Sequence, residues 1–257
     1  MNGLQEISRN LSASLHLAGV SLRRLALSRQ SIICLLLLSL AAIAVFAWSY
    51  HRQRTPADFI EDVLITVYMS FLLPMFCLSF ASAGVATERE DQTLVYLLTT
   101  PLPRAWIFIA KLSAAFLLSI AWTMGSLGLL CRLAGQPGNM AFHAVWPAIL
   151  ASTLAYVALF QLFSVLFRRA TIVALGYSLF LETLVGNMPG IVKRLTISFY
   201  ARCMVFESSS DLGLGTAGPF NALLFQPIPS TTAQTVLYAV SAALLLAGLL
   251  VFVKREY

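Results

Sequence analysis

The chain has 257 residues, of which 59% are hydrophobic and only 11% are charged. Soluble domains carry about 25% charged residues, so this composition excludes an ordinary soluble protein and indicates one embedded in a membrane. The net charge is +6, but the basic residues stand beside hydrophobic segments rather than in one patch. That placement favours contact with anionic lipid over contact with nucleic acid.

Residues 1–30 come before the first long hydrophobic segment and have an amphipathic pattern. Apolar residues recur every three or four positions, and Arg9, Arg23 and Arg24 fall between them. This spacing predicts a helix that lies in the headgroup region of the bilayer. The alternative is a loosely ordered basic tail.

Six hydrophobic segments follow, which predicts an all-α membrane protein with six transmembrane helices in a single domain. The first segment has no charged residue, and it is long enough to cross a hydrocarbon core of about 30 Å. In the third, Lys111 and Arg132 lie near the ends, so their side chains are expected to extend towards the membrane surfaces. The predicted spans cover about residues 31–50, 62–85, 107–133, 144–167, 170–188 and 233–253.

The distribution of basic residues predicts that both termini are cytosolic. With the N-terminus inside, eleven of the 17 Lys and Arg residues fall on the cytosolic side and six on the other side. An excess of basic residues marks the cytosolic side of a membrane protein. The same topology places residues 189–232, the longest stretch between two spans, outside the cytosol. Its first part mixes apolar and basic residues, and its Gly- and Ser-rich second part predicts a loop.

The stretch between the second and third spans has the most informative sequence. Residues 88–111 read EREDQTLVYLLTTPLPRAWIFIAK. Asp91 can cap a helix, because its carboxylate accepts hydrogen bonds from otherwise unpaired N–H groups. Leu94, Leu97 and Leu98 are spaced to share one helical face, and the two prolines that follow end the helix. A helix of about two turns is therefore predicted at a membrane face.

This loop resembles the hallmark loop in the permease subunits of ABC transporters of the second, export type. In that family a Glu-Arg-Glu run is followed by Thr-Leu, a leucine pair, Pro, Arg, and a Gly-Lys at the start of the next span. Ala110 stands where glycine is usual, which bears on local backbone packing. The residues that match in order are Glu88, Arg89, Glu90, Thr93, Leu94, Leu97, Leu98, Pro101, Arg104 and Lys111.

The resemblance implies a coupling helix that docks into a separate ABC ATPase subunit. The alternative is an ordinary amphipathic helix that rests on the bilayer. The resemblance also implies an elbow helix in residues 1–30, partly re-entrant helices between the fifth and sixth spans, pairing with a second permease copy or homologue, and a location in the bacterial cytoplasmic (inner) membrane. The implied coupling residues are Glu88, Arg89, Glu90, Asp91, Thr93, Leu94, Leu97, Leu98, Pro101 and Arg104.

The sequence itself has no motif for catalysis or for a cofactor. It lacks a Gly-x-x-x-x-Gly-Lys-Ser/Thr run for ATP, and its four cysteines have no metal-binding spacing. We therefore expect a non-enzymatic permease without a metal or cofactor of its own, with ATP and Mg on the partner ATPase. Hydrolysis there would move a substrate, whose class the sequence does not specify, out across the membrane. The alternative is a membrane anchor that transmits force from an ATPase to a periplasmic partner without substrate passage.

Two polar residues within predicted spans are candidates for a substrate pathway. Glu182 lies twelve residues past Ala170, about 18 Å along a helix and in the outer half of the bilayer. An ionised carboxylate there costs on the order of a few kcal/mol, so Glu182 should face protein or water, or be protonated. It either lines or gates the substrate pathway, or it forms a hydrogen bond to another span, or it extends towards the membrane surface from a tilted helix. Gln161 is a weaker candidate, since a buried amide can also join helices.

Overall fold

The structure is a computed structural model, which describes residues 14, 16–50, 55–83, 103–167, 169–184, 192–213 and 227–254. Within these ranges the regular elements are all helical, so the predicted all-α class is confirmed for the described part of the chain. The helices are α1 (residues 16–26), α2 (Arg29–Ser49), α3 (residues 56–83), α4 (Arg104–Leu133), α5 (Gln136–Leu166), α6 (residues 170–184), α7 (Ile197–Ser208) and α8 (Ser230–Lys254).

Five of the described helices are long and apolar enough to cross a membrane, namely α2, α3, α4, α5 and α8. Helix α6, which corresponds to the fifth predicted span, is shorter, and the description ends at Leu184. The described residues therefore establish a multi-pass membrane protein, and the sixth crossing stays a prediction. Helix α5 begins at Gln136, well before the predicted start at residue 144, because Pro137 suits the first turn of a helix.

Helix α5 is the centre of the bundle and packs against α3, α4, α7 and α8. Its inner positions carry small residues, such as Ala148, Ala151 and Ala155, which let neighbouring backbones approach closely. Helices α2 and α8 lie at the periphery and bury little of their surface. Large apolar side chains of α2, such as Leu36 and Phe46, point outwards, as expected of a helix surrounded by lipid or by another membrane protein.

Helix α3 begins with a capping box and then winds as a π-helix. Thr55 Oγ1 accepts a hydrogen bond from the Asp58 N–H at 3.2 Å, and the Asp58 carboxylate accepts one from the Thr55 N–H at 2.9 Å. These bonds satisfy N–H groups that have no intrahelical partner. The π-helix covers Ile60–Leu72, and α-helical winding returns over Leu73–Ala83, next to Pro74, which has no N–H to donate.

Helices α4 and α5 form a tight antiparallel hairpin. The chain turns at Gly135, whose φ of 76° lies in the left-handed region that suits glycine. Three residues later Gly138 lies directly against α4, because a Cβ atom there would come within 2.1 Å of the Cys131 carbonyl oxygen. Further along the hairpin, Thr153 Oγ1 donates a hydrogen bond to Thr123 Oγ1 at 3.3 Å.

The two basic residues of α4 differ in exposure. Arg132 is exposed, as predicted, but Lys111 is only 1% exposed, so the prediction that it extends to the membrane surface is wrong. The helical period explains the difference. Lys111 shares the buried face of α4 with Ala114, Ala115 and Leu118, which lie three, four and seven positions further on.

Contacts between helix ends define the two ends of the bundle. At one end Phe108 of α4, Val165 of α5 and Phe252 of α8 form a small cluster with Leu17 of α1. This end therefore holds the described N-terminal helix, the last turn of α8 and the start of α4. At the other end Trp48 Nε1 donates to the Asp62 carboxylate at 3.2 Å and joins α2 to α3. The charge count predicts that the end with α1 faces the cytosol.

Candidate functional site

Glu182 lies at the centre of a polar cluster inside the bundle. Its side chain is fully buried and accepts three hydrogen bonds. Tyr177 donates its hydroxyl at 3.0 Å, and the backbone N–H groups of Ile197 and Ser198 donate at 3.1 and 3.0 Å. The carboxylate thus faces protein, as its depth in the sequence predicted. The role of Glu182 in a pathway stays a prediction.

The two N–H groups that bind Glu182 belong to the first turn of α7. Such groups have no partner within their own helix. Thr196, the N-cap residue, supplies a third bond, because its Oγ1 accepts from the Phe199 N–H at 3.3 Å. A carboxylate at this position also interacts favourably with the positive end of the helix dipole. Glu182 therefore holds the start of α7 against α6.

Arg202 extends the cluster from α7 to α3. It is 4% exposed, and its Nη2 donates a hydrogen bond to Ser70 Oγ at 2.8 Å. The Glu182 carboxylate also interacts electrostatically with this guanidinium. A buried cation beside a buried anion reduces the large free-energy cost of taking either charge out of water. The three helices α3, α6 and α7 are thus joined through polar side chains.

Both π-helical stretches of the described chain contribute to this cluster. Ser70 lies in the π-helix Ile60–Leu72, and Glu182 lies in the second one, Tyr177–Leu184. The two stretches pack against each other. Because π-helical turns occur mostly as short insertions and often at functional sites, their contact here marks the region as a candidate for movement or binding.

Two further buried polar groups lie on α5. The Tyr156 hydroxyl interacts with the Glu182 carboxylate, although not in the geometry of a regular hydrogen bond. Gln161 is fully buried, and neither atom of its side-chain amide has a hydrogen-bond partner within the described residues. An unsatisfied buried polar group costs about 1–3 kcal/mol, so the Gln161 amide needs an explanation other than stability.

The structure describes only some of the predicted site residues. Glu182 and Gln161 are each fully buried, on α6 and α5. Arg104 is the first residue of α4, and its side chain is outside the described part of the chain. The other predicted coupling residues also lie outside it, namely Glu88, Arg89, Glu90, Asp91, Thr93, Leu94, Leu97, Leu98 and Pro101. Their role stays a prediction.

The comparison with protein families decides the assignment. A family model described as ABC-2 family transporter protein matches residues 23–190. The chain belongs to this family. The matched region contains the predicted coupling loop, α2 to α6 and Glu182, whereas α7 and α8 follow it. The comparison with curated proteins gave no match.

Membership in the ABC-2 family makes this chain a membrane-spanning subunit of an ABC transporter. Such a subunit works with an ABC ATPase and is generally not itself catalytic. The earlier resemblance, which rested on the loop sequence, is therefore confirmed at the level of the family. Sequence reasoning missed Tyr177, Tyr156 and Arg202 as neighbours of Glu182, and it missed Ser70 as the hydrogen-bond partner of Arg202. One feature of the sequence could have pointed to this region: Thr196 is a suitable N-cap residue for a helix, and the apolar run that follows it contains Arg202.

Proposed function

We propose that the chain is the transmembrane subunit of an ATP-driven exporter, in which residues 88–104 receive force from a separate ATPase subunit. The family match over residues 23–190 carries this proposal, because it covers both that loop and most of the helical bundle. ATP and Mg would bind to the ATPase, and this chain would form the pathway with a second permease copy or homologue. Both termini would lie in the cytosol of a bacterial cell, with α1 as an elbow helix.

Helices α6 and α7 together would supply the sixth crossing. Helix α6 follows directly after α5, at the end of the bundle where α5 packs near α1. Helix α7 starts beside Glu182, which lies towards the other end of α6. Helix α7 continues to Ser208, whose hydroxyl donates to the Ala144 carbonyl near the start of α5 at 2.8 Å. The two helices have 15 and 12 residues, or about 40 Å at 1.5 Å per residue, enough to span the hydrocarbon core in two pieces.

The junction between these two pieces would be the moving part of the transport cycle. ATP binding can shift a conformational equilibrium only through contacts that differ between the two states. The hydrogen bonds from α7 to Glu182, and from Arg202 to Ser70, are contacts between separate helices that a rearrangement would break or re-form. Gln161, whose amide has no partner among the described residues in this state, would gain one in the second state.

A role as an anchor that transmits force to a periplasmic partner is less well supported. That alternative needs the insert at residues 189–232 to project from the membrane. The described part of the insert includes α7, which is buried against α5 and α8. Its inner face, which includes Phe199 and Val205, is fully covered. Less of the insert is therefore available for an outside partner than its length suggested.

The proposal is tested by reconstitution with the ABC ATPase that co-purifies with the chain from its native membrane. ATP hydrolysis is measured in liposomes that contain the ATPase alone, and then both subunits. We expect the permease to retain the ATPase on the membrane and to change its rate of hydrolysis, and candidate substrates to change it further. Failure to recover any ABC ATPase with the intact, inserted permease contradicts the proposal.

A further inference from the structure

A lateral pocket between α2, α3 and α4 shares no lining residue with the Glu182 cluster. It has a volume of about 180 Å³. An apolar cavity of about 150 Å³ is enough to hold benzene, so this pocket can take roughly six carbon atoms of a hydrocarbon chain. Its wall is almost entirely apolar and includes Ala41 and Ala44 of α2, Val63, Val67 and Leu72 of α3, and Leu130 of α4.

The π-helical winding of α3 forms one wall of this pocket. Val67 lies five residues before Leu72, and Val63 lies five residues before Tyr68. In an α-helix, residues five apart point about 140° away from each other and could not line one face. In a π-helix the hydrogen bonds join residues five apart, so these side chains stack on one side. The small side chain of Ala44 on α2 leaves the space open opposite them.

The pocket opens sideways between α2 and α3, at the surface of the helices that faces the membrane. Ala44 is exposed at its mouth, and Val67 on the other side is 40% exposed. The α2 residues that line it all lie within the last nine residues of that helix, or within about 12 Å of its end. Half of a hydrocarbon core of about 30 Å is about 15 Å, so the pocket lies within one leaflet of the bilayer.

The polar side chains in the wall of the pocket bond to other groups of the protein. Trp48 Nε1 donates to the Asp62 carboxylate at 3.2 Å, at the end near the loop between α2 and α3. The Tyr68 hydroxyl bonds to the Thr123 carbonyl and to Ser126 Oγ, and neither of those residues lines the pocket. A polar group of a ligand would give up its bonds to water on entering, so the chemistry of the wall favours an apolar ligand.

These features point to a hydrocarbon chain as the ligand. Water has no partners in an apolar cavity, and an unfilled cavity forfeits dispersion contacts along its wall. Phospholipid acyl chains are the apolar groups that surround α2 and α3 at the depth where the pocket opens. We propose that the pocket binds one acyl chain of a membrane phospholipid. The chain enters between Ala44 and Val67, and it packs against Val63 and Leu72 further inside.

The proposal is tested by photo-crosslinking of the purified chain in phosphatidylcholine nanodiscs, without the ATPase. The probe is a phosphatidylcholine with a diazirine in the half of one acyl chain nearer to the headgroup, and mass spectrometry maps the residues that it labels. Phe46 of α2 is 65% exposed, so label on it, the outer label, reports bulk lipid. Val63 and Leu72 are only 8% and 3% exposed, so label on them, the inner label, reports a chain inside the pocket. We expect both labels in the wild type.

Two variants close the mouth of the pocket from opposite sides. Ala44→Leu should lower the ratio of inner to outer label by at least about tenfold, because the larger side chain leaves no room for an acyl chain. Val67→Phe should have the same effect from α3. Both residues are exposed, so neither change disturbs the core, and thermal unfolding checks that each variant is folded. Ala47→Leu adds the same volume at an exposed position of α2 outside the pocket and should leave the ratio unchanged.

Three results would overturn the proposal. The first is the absence of inner label in the wild type, whether the pocket is closed or is covered by a second copy of the chain. The second is a wild-type ratio in the folded Ala44→Leu or Val67→Phe variant. The third is an equal loss of inner label in Ala47→Leu. Because no ATPase is present, these outcomes do not depend on whether the chain transports.

Discussion

The Glu182 carboxylate accepts a hydrogen bond from the backbone N–H of Ser198 at 3.0 Å, across 16 positions of the chain. The same carboxylate accepts from the Ile197 N–H, so a side chain of α6 caps the start of α7. Both N–H groups are buried. Without Glu182 they would have no partner and no access to water, which makes this one residue important for the position of α7.

Replacement of Glu182 by Gln should preserve the fold but weaken the junction between α6 and α7. Gln has one oxygen acceptor in place of two, so at least one N–H of α7 loses its bond, and Arg202 loses a nearby negative charge. We expect a loss of stability of about 1–3 kcal/mol and an altered rate of transport or of stimulated ATP hydrolysis. Glu182→Leu removes both acceptors and should misfold. The measurements are thermal unfolding of the purified permease and ATPase activity of the complex.

Glu207 provides the matched control for this prediction. Its carboxylate accepts a hydrogen bond from the Ser230 N–H at the start of α8, but the residue is exposed. Glu207→Gln should therefore cost less, because water can replace the lost bond. Equal stability and equal activity of Glu182→Gln and the wild type, together with a misfolded Glu182→Leu, would show that Glu182 has only a structural role.

Gln161 should behave in the opposite way from Glu182. Its buried amide has no partner among the described residues, so Gln161→Leu removes an unsatisfied group while it keeps a similar volume. We expect unchanged or increased stability, by up to about 3 kcal/mol, together with reduced transport or reduced stimulation of the ATPase. Ser119→Ala removes another buried group that has no hydrogen-bond partner within the described ranges, and it controls for the gain in stability. Wild-type activity of Gln161→Leu would exclude Gln161 from the transport cycle.

The sequence predicted the long helices well because each is a continuous apolar run, which is a local property. It did not predict the burial of Lys111, because a lysine near the end of a span suits either the surface or the inner face. The position of α7 was harder still. Its arginine and its apolar residues fit an interfacial segment equally well, and the partner that buries Arg202 is Ser70, 132 positions away. Such distant pairs leave no trace in a single sequence.

The π-helical winding of α3 was also beyond sequence reasoning. Almost all residues of Ile60–Leu72 are apolar or small, so no periodicity distinguishes five-residue from four-residue spacing. In the structure Thr66 and Ser70 donate their hydroxyls to carbonyl groups five positions earlier, those of Glu61 and Ile65. The Glu182 site was partly predictable, since an acidic residue inside a span must find a partner. The identity of that partner was not.

Gly138 should be required for the hairpin between α4 and α5. A Cβ atom at this position would lie 2.1 Å from the Cys131 carbonyl oxygen, which is a backbone atom and cannot move aside easily. We expect Gly138→Ala to force α5 away from α4 and to destabilise the protein by more than about 2 kcal/mol. Gly128→Ala on α4 is the control, since a Cβ atom there meets nothing within 4 Å, and it should be neutral or stabilising. Thermal unfolding of the two variants and of the wild type measures both effects on stability.

Residue 3 and residue 215 should lie on opposite sides of the membrane. The charge count places the N-terminus in the cytosol and residues 189–232 outside it. The four native cysteines are all buried, so they should give little background in labelling experiments. In whole cells, an impermeant thiol reagent should label Gly215→Cys but not Gly3→Cys, and lysis should expose Gly3→Cys. Labelling of both sites in intact cells would contradict the topology.

The predicted coupling loop should bind the ATPase mainly through its apolar face. Leu94, Leu97 and Leu98 are spaced to share one side of a helix, and an apolar face in the cytosol is normally covered by a partner. Full burial of one leucine is worth about 1.5–3 kcal/mol, whereas an exposed ion pair contributes about 0–1 kcal/mol. The leucines should therefore determine affinity, and the acidic residues 88, 90 and 91 should determine orientation.

Leu97→Asp combined with Leu98→Asp should release the ATPase while the permease stays inserted and paired. The loss of two buried leucines corresponds to about 3–6 kcal/mol of binding free energy, which is enough to abolish recovery of the ATPase in a pull-down. Glu90→Gln, a change of charge alone in the same loop, is the matched control and should keep the ATPase bound while it reduces stimulated hydrolysis. If the loop merely rests on lipid, the loop of the double variant will lift off the bilayer, and the permease will still bind the ATPase. Recovery of the ATPase at the wild-type level would therefore mean that docking occurs elsewhere. The next segment to mutate would then be the turn at Arg168 and Arg169, which is the other short cytosolic connection of the predicted topology.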